Sequence, residues 1–147
     1  MKLSEFAKGT YAAFKLDTHS VEALYEFCKS LGIDNLVQAD DYHCTILYSK
    51  VHCPDIAHEK MPLPCTAKAI SYEMFGEDEG ALVLKVDCKA AVQLHKTCIE
   101  KYGATHSYDE YVPHITLAYD FSGPLPKQLP DVDIIFTKFI IEDLEND

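Results

Sequence analysis

Residues 43–48 have the sequence HCTILY, and residues 114–119 have the related sequence HITLAY. Both stretches follow the pattern His-x-Thr-aliphatic-x-Tyr. Because successive side chains of an extended strand point to opposite faces, His43 and Thr45 are predicted to share one face while their neighbours point into a core. The second stretch places its own histidine and threonine side by side in the same way. The sequence therefore predicts two strands that each present one imidazole and one hydroxyl.

The sequence around the two stretches repeats as well, which distinguishes them from two ordinary strands. Lys15-Leu16-Asp17 returns as Lys85-Val86-Asp87. Further repeated pairs at the same spacing of 70 or 71 positions are Leu24 and Leu94, Cys28 and Cys98, Gly32 and Gly103, His43 and His114, and Thr45 and Thr116. The chain is therefore predicted to contain two related halves.

Local patterns divide each half into strand, helix, His-x-Thr strand and strand. Alternating or β-branched runs predict the strands, and apolar residues at helical spacing before a glycine predict the helices. The predicted strands cover residues 9–17, 43–48, 65–75, 81–87, 114–119 and 132–141, and the predicted helices cover about 18–31 and 89–102. We therefore predict one α+β domain, residues 1–147, built from two pseudo-symmetric lobes at about 9–76 and 81–142 with a cleft between them.

The charge of the chain limits its partners. The formal net charge is −11, and all 13 basic residues are lysines. Binding of duplex DNA or long RNA depends on neutralising many phosphates, so a chain this acidic is not expected to bind long nucleic acid. A small anionic ligand in an enclosed site fits better. Without arginine, its phosphate oxygens would be met by His, Thr, Tyr, Lys or backbone N–H groups.

Cysteine usage and hydropathy predict the compartment. Cys28 and Cys98 fall on apolar faces of predicted helices and Cys44 lies beneath a predicted strand, so the cysteines are expected to be buried thiols in a reducing cytosol. No apolar run is long enough for a membrane helix, and no signal peptide opens the sequence, so we expect a cytoplasmic protein without membrane contact. His52, Cys53 and His58 are metal-binding residue types in one predicted loop, but no second ligand cluster accompanies them. We therefore expect no metal.

Two histidines and two threonines on facing strands suit one class of chemistry. Cleavage of a phosphodiester through a neighbouring 2′-hydroxyl needs a base for the nucleophile and an acid for the departing 5′-oxygen, and two imidazoles supply both near neutral pH. Thr45 and Thr116 could donate hydrogen bonds to the non-bridging phosphate oxygens. This route needs no cofactor. The repeat makes His43 and His114 nearly equivalent, so either could be the acid or the base.

Paired His-x-Thr motifs on repeated halves resemble the two-histidine (2H) phosphoesterases, whose members include RNA-end cyclic phosphodiesterases and ligases of the LigT type. The resemblance covers nearly the whole chain, because the repeat includes the strands and helices around the motifs. It implies a LigT-like fold in which antiparallel sheets face a central cleft and the helices lie outside. It also implies that His43, Thr45, His114 and Thr116 are the catalytic residues.

Within that superfamily the chain is most similar to the phage anti-CBASS nucleases, which hydrolyse the cyclic di- and trinucleotide messengers of bacterial antiphage defence. The small size, an opening KGTY strand at residues 8–11 and Glu142 near the C-terminus support this. In that family an N-terminal tyrosine and a C-terminal glutamate help to hold the nucleotide. The resemblance therefore gives these roles to Tyr11 and Glu142, with Glu142 contacting an adenine edge.

Other residues are weaker candidates for ligand contacts. The chain has no tryptophan, so base stacking would fall to Tyr11, Tyr72, Phe75, Tyr108 or Tyr111. In the polar loop before the second motif, His106 and Tyr108 are predicted to contact the substrate, with Ser107 beside them. Tyr48 and Tyr119 stand five positions after the histidines, on the opposite face of a regular strand, and are predicted to be packing residues.

The resemblance implies a phosphodiesterase that opens 3′–5′ bonds of signals such as 3′,3′-cGAMP to linear products, and so evades host immunity in the bacterial cytosol. Cyclic di- and trinucleotides would be its partners, and no obligate protein partner is evident. Two alternatives stay open. One is a 2′,3′-cyclic phosphodiesterase acting on RNA ends, and the other is a cyclic nucleotide sponge without turnover, which would not need both His-Thr pairs.

Overall fold

The computed structural model describes residues 8–76, 80–106 and 110–145. Within these residues, six strands and two α-helices make up an α+β fold, which confirms the predicted class. The strands are β1 (Lys8–Leu16), β2 (His43–Ser49), β3 (Cys65–Phe75), β4 (Ala81–Asp87), β5 (His114–Ala118) and β6 (Ile134–Glu145), and the helices are α1 (Thr18–Ser30) and α2 (Lys89–Tyr102). Neither helix is long and apolar enough to cross a bilayer, among the residues described.

The six strands form one closed ring in the order β1-β2-β5-β4-β3-β6, and each neighbouring pair is antiparallel. The last strand of each sequence half pairs with the first strand of the other half, as β3 pairs with β4 and β6 pairs with β1. The repeated halves are therefore interleaved within the sheet. Their origin as two lobes, at about 9–76 and 81–142, stays a prediction.

The hydrophobic core lies between the helices and one face of the sheet. Leu24 and Cys28 of α1, and Leu94 and Cys98 of α2, are buried in the same cluster as the alternate residues of β2 and β5. α1 packs against β6, and α2 packs against β2. In the part of the chain that the structure describes, neither α1 nor α2 covers the opposite face of β1, β2 and β5. Side chains on that face are the ones available for binding.

A β-bulge interrupts each of the two His-x-Thr strands at the same position of the repeat. Opposite β1, Leu47 pairs with Ala12 and Thr45 pairs with Ala13, so Ile46 has no opposing residue. In β5, Ala118 and Thr116 pair with two consecutive residues of β4, so Leu117 between them has no opposing residue. A bulge adds one residue to a strand and so reverses which face the following side chains occupy.

The last strand is longer than its sequence predicts. β6 continues to Glu145, whereas the prediction ended it at residue 141, before an acidic tail. Glutamate and aspartate disfavour strands, but pairing with β1 provides backbone partners along the whole stretch, including Asp143 opposite Thr10. Glu142 therefore lies within a strand and is paired with Tyr11.

Replacement of Phe14 by alanine tests the core. Phe14 is fully buried, and its ring lies 5.8 Å from that of Phe136 and 6.2 Å from that of Phe139. Phe14→Ala is expected to lower the free energy of unfolding by about 3–5 kcal/mol, measured by urea denaturation. The exposed Val92→Ala on α2 is the control and should stay within about 0.5 kcal/mol of the original protein. A similar small change for Phe14→Ala would contradict this core.

Candidate active site

The two His-x-Thr motifs have the alternation that the sequence predicts. His43, Thr45, His114 and Thr116 are all partly exposed, whereas the residues between them are fully buried. β2 and β5 are neighbours in the sheet, with Cys44 paired to Ile115. Because this pair joins the central residues of both motifs, the two imidazole-hydroxyl pairs are brought onto adjacent strands.

Both histidines are held through the same ring nitrogen. Nδ1 of His43 lies 2.7 Å from the carbonyl oxygen of Asp41, and Nδ1 of His114 lies 3.1 Å from the carbonyl oxygen of Val112. Since a carbonyl oxygen can only accept a hydrogen bond, each Nδ1 carries a hydrogen and donates it. Nε2 is then the nitrogen of each ring that can give or take a proton.

The surroundings of the two histidines differ. His114 packs edge-on against Phe75, with ring centroids 4.8 Å apart. Burial lowers the pKa of His114, and the charges of His43 and Lys85 lower it further, while the bond to the Val112 carbonyl and the charge of Glu73 oppose them. At neutral pH, His114 is therefore held in the neutral form that a general base requires.

A cleft of about 270 Å³ opens over this part of the sheet. It is lined by Tyr11, Ala13, Lys15, Val37, Asp41, His43, Thr116, Tyr119, Ile140 and Glu142. The hydroxyl oxygen of Tyr11 lies 3.5 Å from Oγ1 of Thr45, which connects the cleft to the first threonine. The structure thus brings Tyr11 and Glu142 together with residues of both motifs.

Tyr11 occupies the centre of this arrangement. Its ring lies edge-on to the rings of His43 and Tyr48, each at 6.3 Å. Burial raises the pKa of Tyr11, and the carboxylate of Glu142 raises it further against the effect of the Thr45 hydrogen bond. The phenol therefore stays protonated and remains a hydrogen-bond donor in the cleft.

Two lysines were missed as candidates by the sequence analysis, although both belong to the repeat. Lys15 pairs with His43 across β1 and β2, and Lys85 pairs with His114 across β4 and β5. Lys15 lines the cleft, and Lys85 forms an ion pair with Glu73 at 2.6 Å. The signal was the repeated Lys-aliphatic-Asp stretch, which places one cation opposite each histidine in a chain without arginine.

After the Cys44–Ile115 pair, side chains donate hydrogen bonds to the backbone carbonyl oxygens of β2. The hydroxyl of Tyr111 donates to the carbonyl oxygen of Thr45 at 2.7 Å, and Nδ1 of the buried His95 donates to that of Ile46 at 2.8 Å. The rings of His95 and Tyr111 are stacked, with centroids 4.1 Å apart and planes 10° apart. Helix α2 and the loop before β5 therefore hold the first His-x-Thr strand.

Several candidates for ligand contacts lie elsewhere. Tyr72 is buried and donates to the Gln128 carbonyl oxygen at 2.8 Å, so the prediction that it is available for stacking is wrong. One face of Tyr111 is covered by His95, and the ring of His106 lies 5.2 Å from that of His95. Tyr108 and Ser107 lie outside the described residues.

The prediction that Tyr48 and Tyr119 are packing residues is also wrong. Their exposed fractions are 59% and 56%. The physical reason is the bulge before each tyrosine, which returns its side chain to the face of the histidine and threonine. A regular two-residue alternation cannot anticipate that extra residue.

Other parts of the described surface have fewer of the side chains that catalyse reactions. A larger cavity, about 470 Å³, lies between residues 31–35 and 120–127, but it has no histidine, cysteine or tyrosine in its lining. His52 contacts Asp143 at 3.0 Å. Within the described ranges, no three His, Cys, Asp or Glu residues are grouped so as to hold a metal ion. The cleft with both histidine motifs is therefore the candidate active site.

The sequence profile of a family described as "Anti-CBASS protein Acb1" matches residues 8–147. The chain is 35% identical over 122 residues to the anti-CBASS protein Acb1 of Vibrio phage KVP40. This alignment covers 82% of the chain and 80% of that protein. It is 35% identical over 148 aligned positions to the Acb1 protein of Acinetobacter phage Ac42, and the alignment covers 99% of this chain and 97% of that protein. The identity to the Acb1 protein of Enterobacteria phage T4 is 31% over 125 residues, and the alignment covers 85% of this chain and 80% of that protein.

Solved structures share the fold at much lower identity. Escherichia coli LigT complexed with 3′-AMP superposes with a TM-score of 0.63 at 15% identity, covering 91% of this chain and 86% of that chain. A protein of Thermus thermophilus superposes with a TM-score of 0.62 at 19% identity, covering 90% and 86%. These superpositions confirm the predicted LigT-like fold.

Removal of one hydroxyl tests the support beneath β2. Tyr111→Phe is expected to lower the free energy of unfolding by about 0.5–1.5 kcal/mol, because the Thr45 carbonyl loses its donor. The amide NMR resonances of Thr45 and Ile46 should shift. Tyr72→Phe is the matched control, since it removes a similar bond to Gln128 and should leave those resonances in place. Unchanged resonances in Tyr111→Phe would contradict the support.

Proposed function

The chain belongs to the anti-CBASS Acb1 family and has a LigT-like 2H phosphoesterase fold, and we propose that it hydrolyses the cyclic di- and trinucleotide signals of bacterial antiphage defence. The observation that carries the proposal is the pair of histidines on adjacent strands, each with Nδ1 bound to a backbone carbonyl. Both Nε2 atoms are thereby kept for proton transfer. The enzyme would act in the cytosol of the infected bacterium, where its substrates are made.

The first step of the proposed reaction uses one imidazole as a base. Its Nε2 takes the proton of a ribose 2′-hydroxyl, and the oxygen attacks the adjacent 3′–5′ phosphodiester phosphorus. The second imidazole gives its Nε2 proton to the 5′-oxygen as the P–O5′ bond breaks. The ring opens to a linear product with a 2′,3′-cyclic phosphate, and water can convert that phosphate to a 3′-phosphate while the histidines exchange roles.

Negative charge on the phosphate oxygens would be stabilised by the polar groups of the cleft. Thr116 lines the cleft, and the Thr45 hydroxyl lies beside Tyr11. Hydroxyl donors placed before the reaction stabilise charge that develops on the non-bridging oxygens. Lys15 supplies a cation in the same lining. These contacts would replace the arginines that the sequence lacks.

The different surroundings of the histidines support an assignment of roles. A general base must be neutral before it accepts a proton, and burial favours the neutral form of His114. We therefore assign His114 as the base for the 2′-hydroxyl and His43 as the acid for the 5′-oxygen. Glu142 of β6, which pairs with Tyr11 of β1, would accept a hydrogen bond from a nucleobase edge. The amino group of adenine could donate such a bond.

Replacement of each histidine tests the proposal directly. Purified protein incubated with 3′,3′-cGAMP in EDTA is expected to yield linear product by chromatography, because proton transfer by imidazoles needs no metal. His43→Ala and His114→Ala should each lower kcat by about 10²- to 10⁴-fold, as loss of a positioned acid or base does. His19→Ala, an exposed substitution on α1, is the matched control and should retain full activity.

Three outcomes would contradict the proposal. Tight binding of intact 3′,3′-cGAMP without turnover would favour a cyclic nucleotide sponge. Inertness toward 3′,3′-cGAMP with turnover of 2′,3′-cyclic AMP would favour an RNA-end phosphodiesterase. Full activity of His43→Ala or His114→Ala would remove that histidine from the reaction. Thermal melting of each variant separates these results from unfolding.

The pH dependence of kcat/KM tests the role of His114. Activity is expected to rise with pH as the base loses its proton, with a midpoint below the ordinary histidine pKa of about 6.5. The charge of Lys85 lowers the pKa of His114, so Lys85→Met should move this midpoint to higher pH. Lys96→Met, on the exposed side of α2, is the matched control and should leave it in place. An unmoved midpoint in Lys85→Met would contradict the assignment of the base.

A further inference from the structure

Tyr48 and Tyr119 share a local geometry that the proposed reaction does not use. Each follows a β-bulge that comes after a His-x-Thr motif, and the bulges lie at Ile46 and Leu117. The residues on either side of the bulge step are buried, whereas the tyrosines are exposed by more than half of their surface. Bulges near binding sites often redirect a side chain. Here both bulges turn a large aromatic ring toward the face of the catalytic groups.

One ring lines the cleft, and the other lies next to it. Tyr119 is part of its lining, together with His43 and Thr116. Tyr48 meets the ring of Tyr11, another lining residue, edge-on at 6.3 Å. Apolar side chains this exposed beside an active site are surfaces that a ligand can cover.

The two tyrosines lie on opposite sides of the histidine-threonine residues. β2 and β5 are antiparallel, and Cys44 pairs with Ile115. Tyr48 in β2 and Tyr119, directly after the end of β5, each stand four residues beyond that pair in opposite directions, which is at most about 13 Å on each side at about 3.3 Å per residue. Both rings are nevertheless close to the cleft, since Tyr119 lines it and the ring of Tyr48 lies 6.3 Å from that of Tyr11. A ligand extending to both sides of a central phosphodiester fits such an arrangement.

We propose that Tyr48 and Tyr119 are stacking surfaces for the two nucleobases that flank the attacked phosphodiester. This assignment rests on the proposed function and deepens it, because it predicts a substrate with at least two bases. Stacking on an aromatic ring tolerates every base, since each base has a π face. The tyrosines would therefore provide affinity for cyclic oligonucleotides of varied sequence, while Glu142 contacts a base edge.

Steady-state kinetics with 3′,3′-cGAMP test this assignment. Tyr48→Ala and Tyr119→Ala should each raise KM by about 5- to 150-fold, the range expected for loss of one base stack, while kcat stays within about threefold. Tyr48→Phe and Tyr119→Phe keep the ring and should stay within about twofold of the original KM. Ile70→Ala, which also truncates an exposed apolar side chain but lies on β3, is the control and should change neither constant.

The outcomes separate this assignment from the proposed function. If the unchanged protein hydrolyses 3′,3′-cGAMP but both alanine variants keep its KM within twofold, the stacking assignment alone is wrong. An equal rise of KM in the phenylalanine variants would show that the hydroxyl groups bind, which also overturns stacking. A fall of kcat at constant KM would place the tyrosines in the chemical step instead. An unchanged protein that leaves 3′,3′-cGAMP intact would overturn both proposals.

Discussion

Pairing of Cys44 with Ile115 across β2 and β5 is the contact on which the site depends. It places the middle residue of one His-x-Thr motif beside the middle residue of the other, so the histidines and threonines of both motifs emerge from neighbouring strands. Beyond this pair, Tyr111 and His95 take over the Thr45 and Ile46 carbonyl oxygens that would otherwise need a strand partner. The backbone stays satisfied while the cleft opens above it.

The chemistry of the cleft follows from what the strands present and from what the sequence lacks. Backbone carbonyls hold the Nδ1 atoms of both histidines, so the neutral rings share one tautomer and each Nε2 is left without the hydrogen. Burial then distinguishes His114 from His43. In an acidic chain without arginine, hydroxyl groups and a lysine lining the cleft can provide the phosphate contacts. This environment suits a small anionic substrate better than a long nucleic acid.

The motifs and the repeat were sufficient to predict the strands, the helices and both histidine-threonine pairs, because periodicity is a local property of sequence. The exchange of β3 and β6 between the halves could not be predicted, since it depends on pairing between distant segments. Local propensity also ended β6 too early, although pairing with β1 extends it past Glu142. The strand faces predicted for Tyr48 and Tyr119 were wrong for a third reason. One extra residue before each tyrosine reverses the alternation on which the prediction depends.

A crystal structure with a 2′-deoxy analogue of 3′,3′-cGAMP, which lacks the attacking hydroxyl, would test the central claim most directly. We expect one phosphodiester to lie between the two imidazoles. Nε2 of His43 should lie within about 3.2 Å of the 5′-oxygen, and Nε2 of His114 should face the 2′-carbon from the opposite side. A ligand bound in the cavity at residues 31–35 and 120–127, or a phosphodiester that contacts only one imidazole, would contradict it.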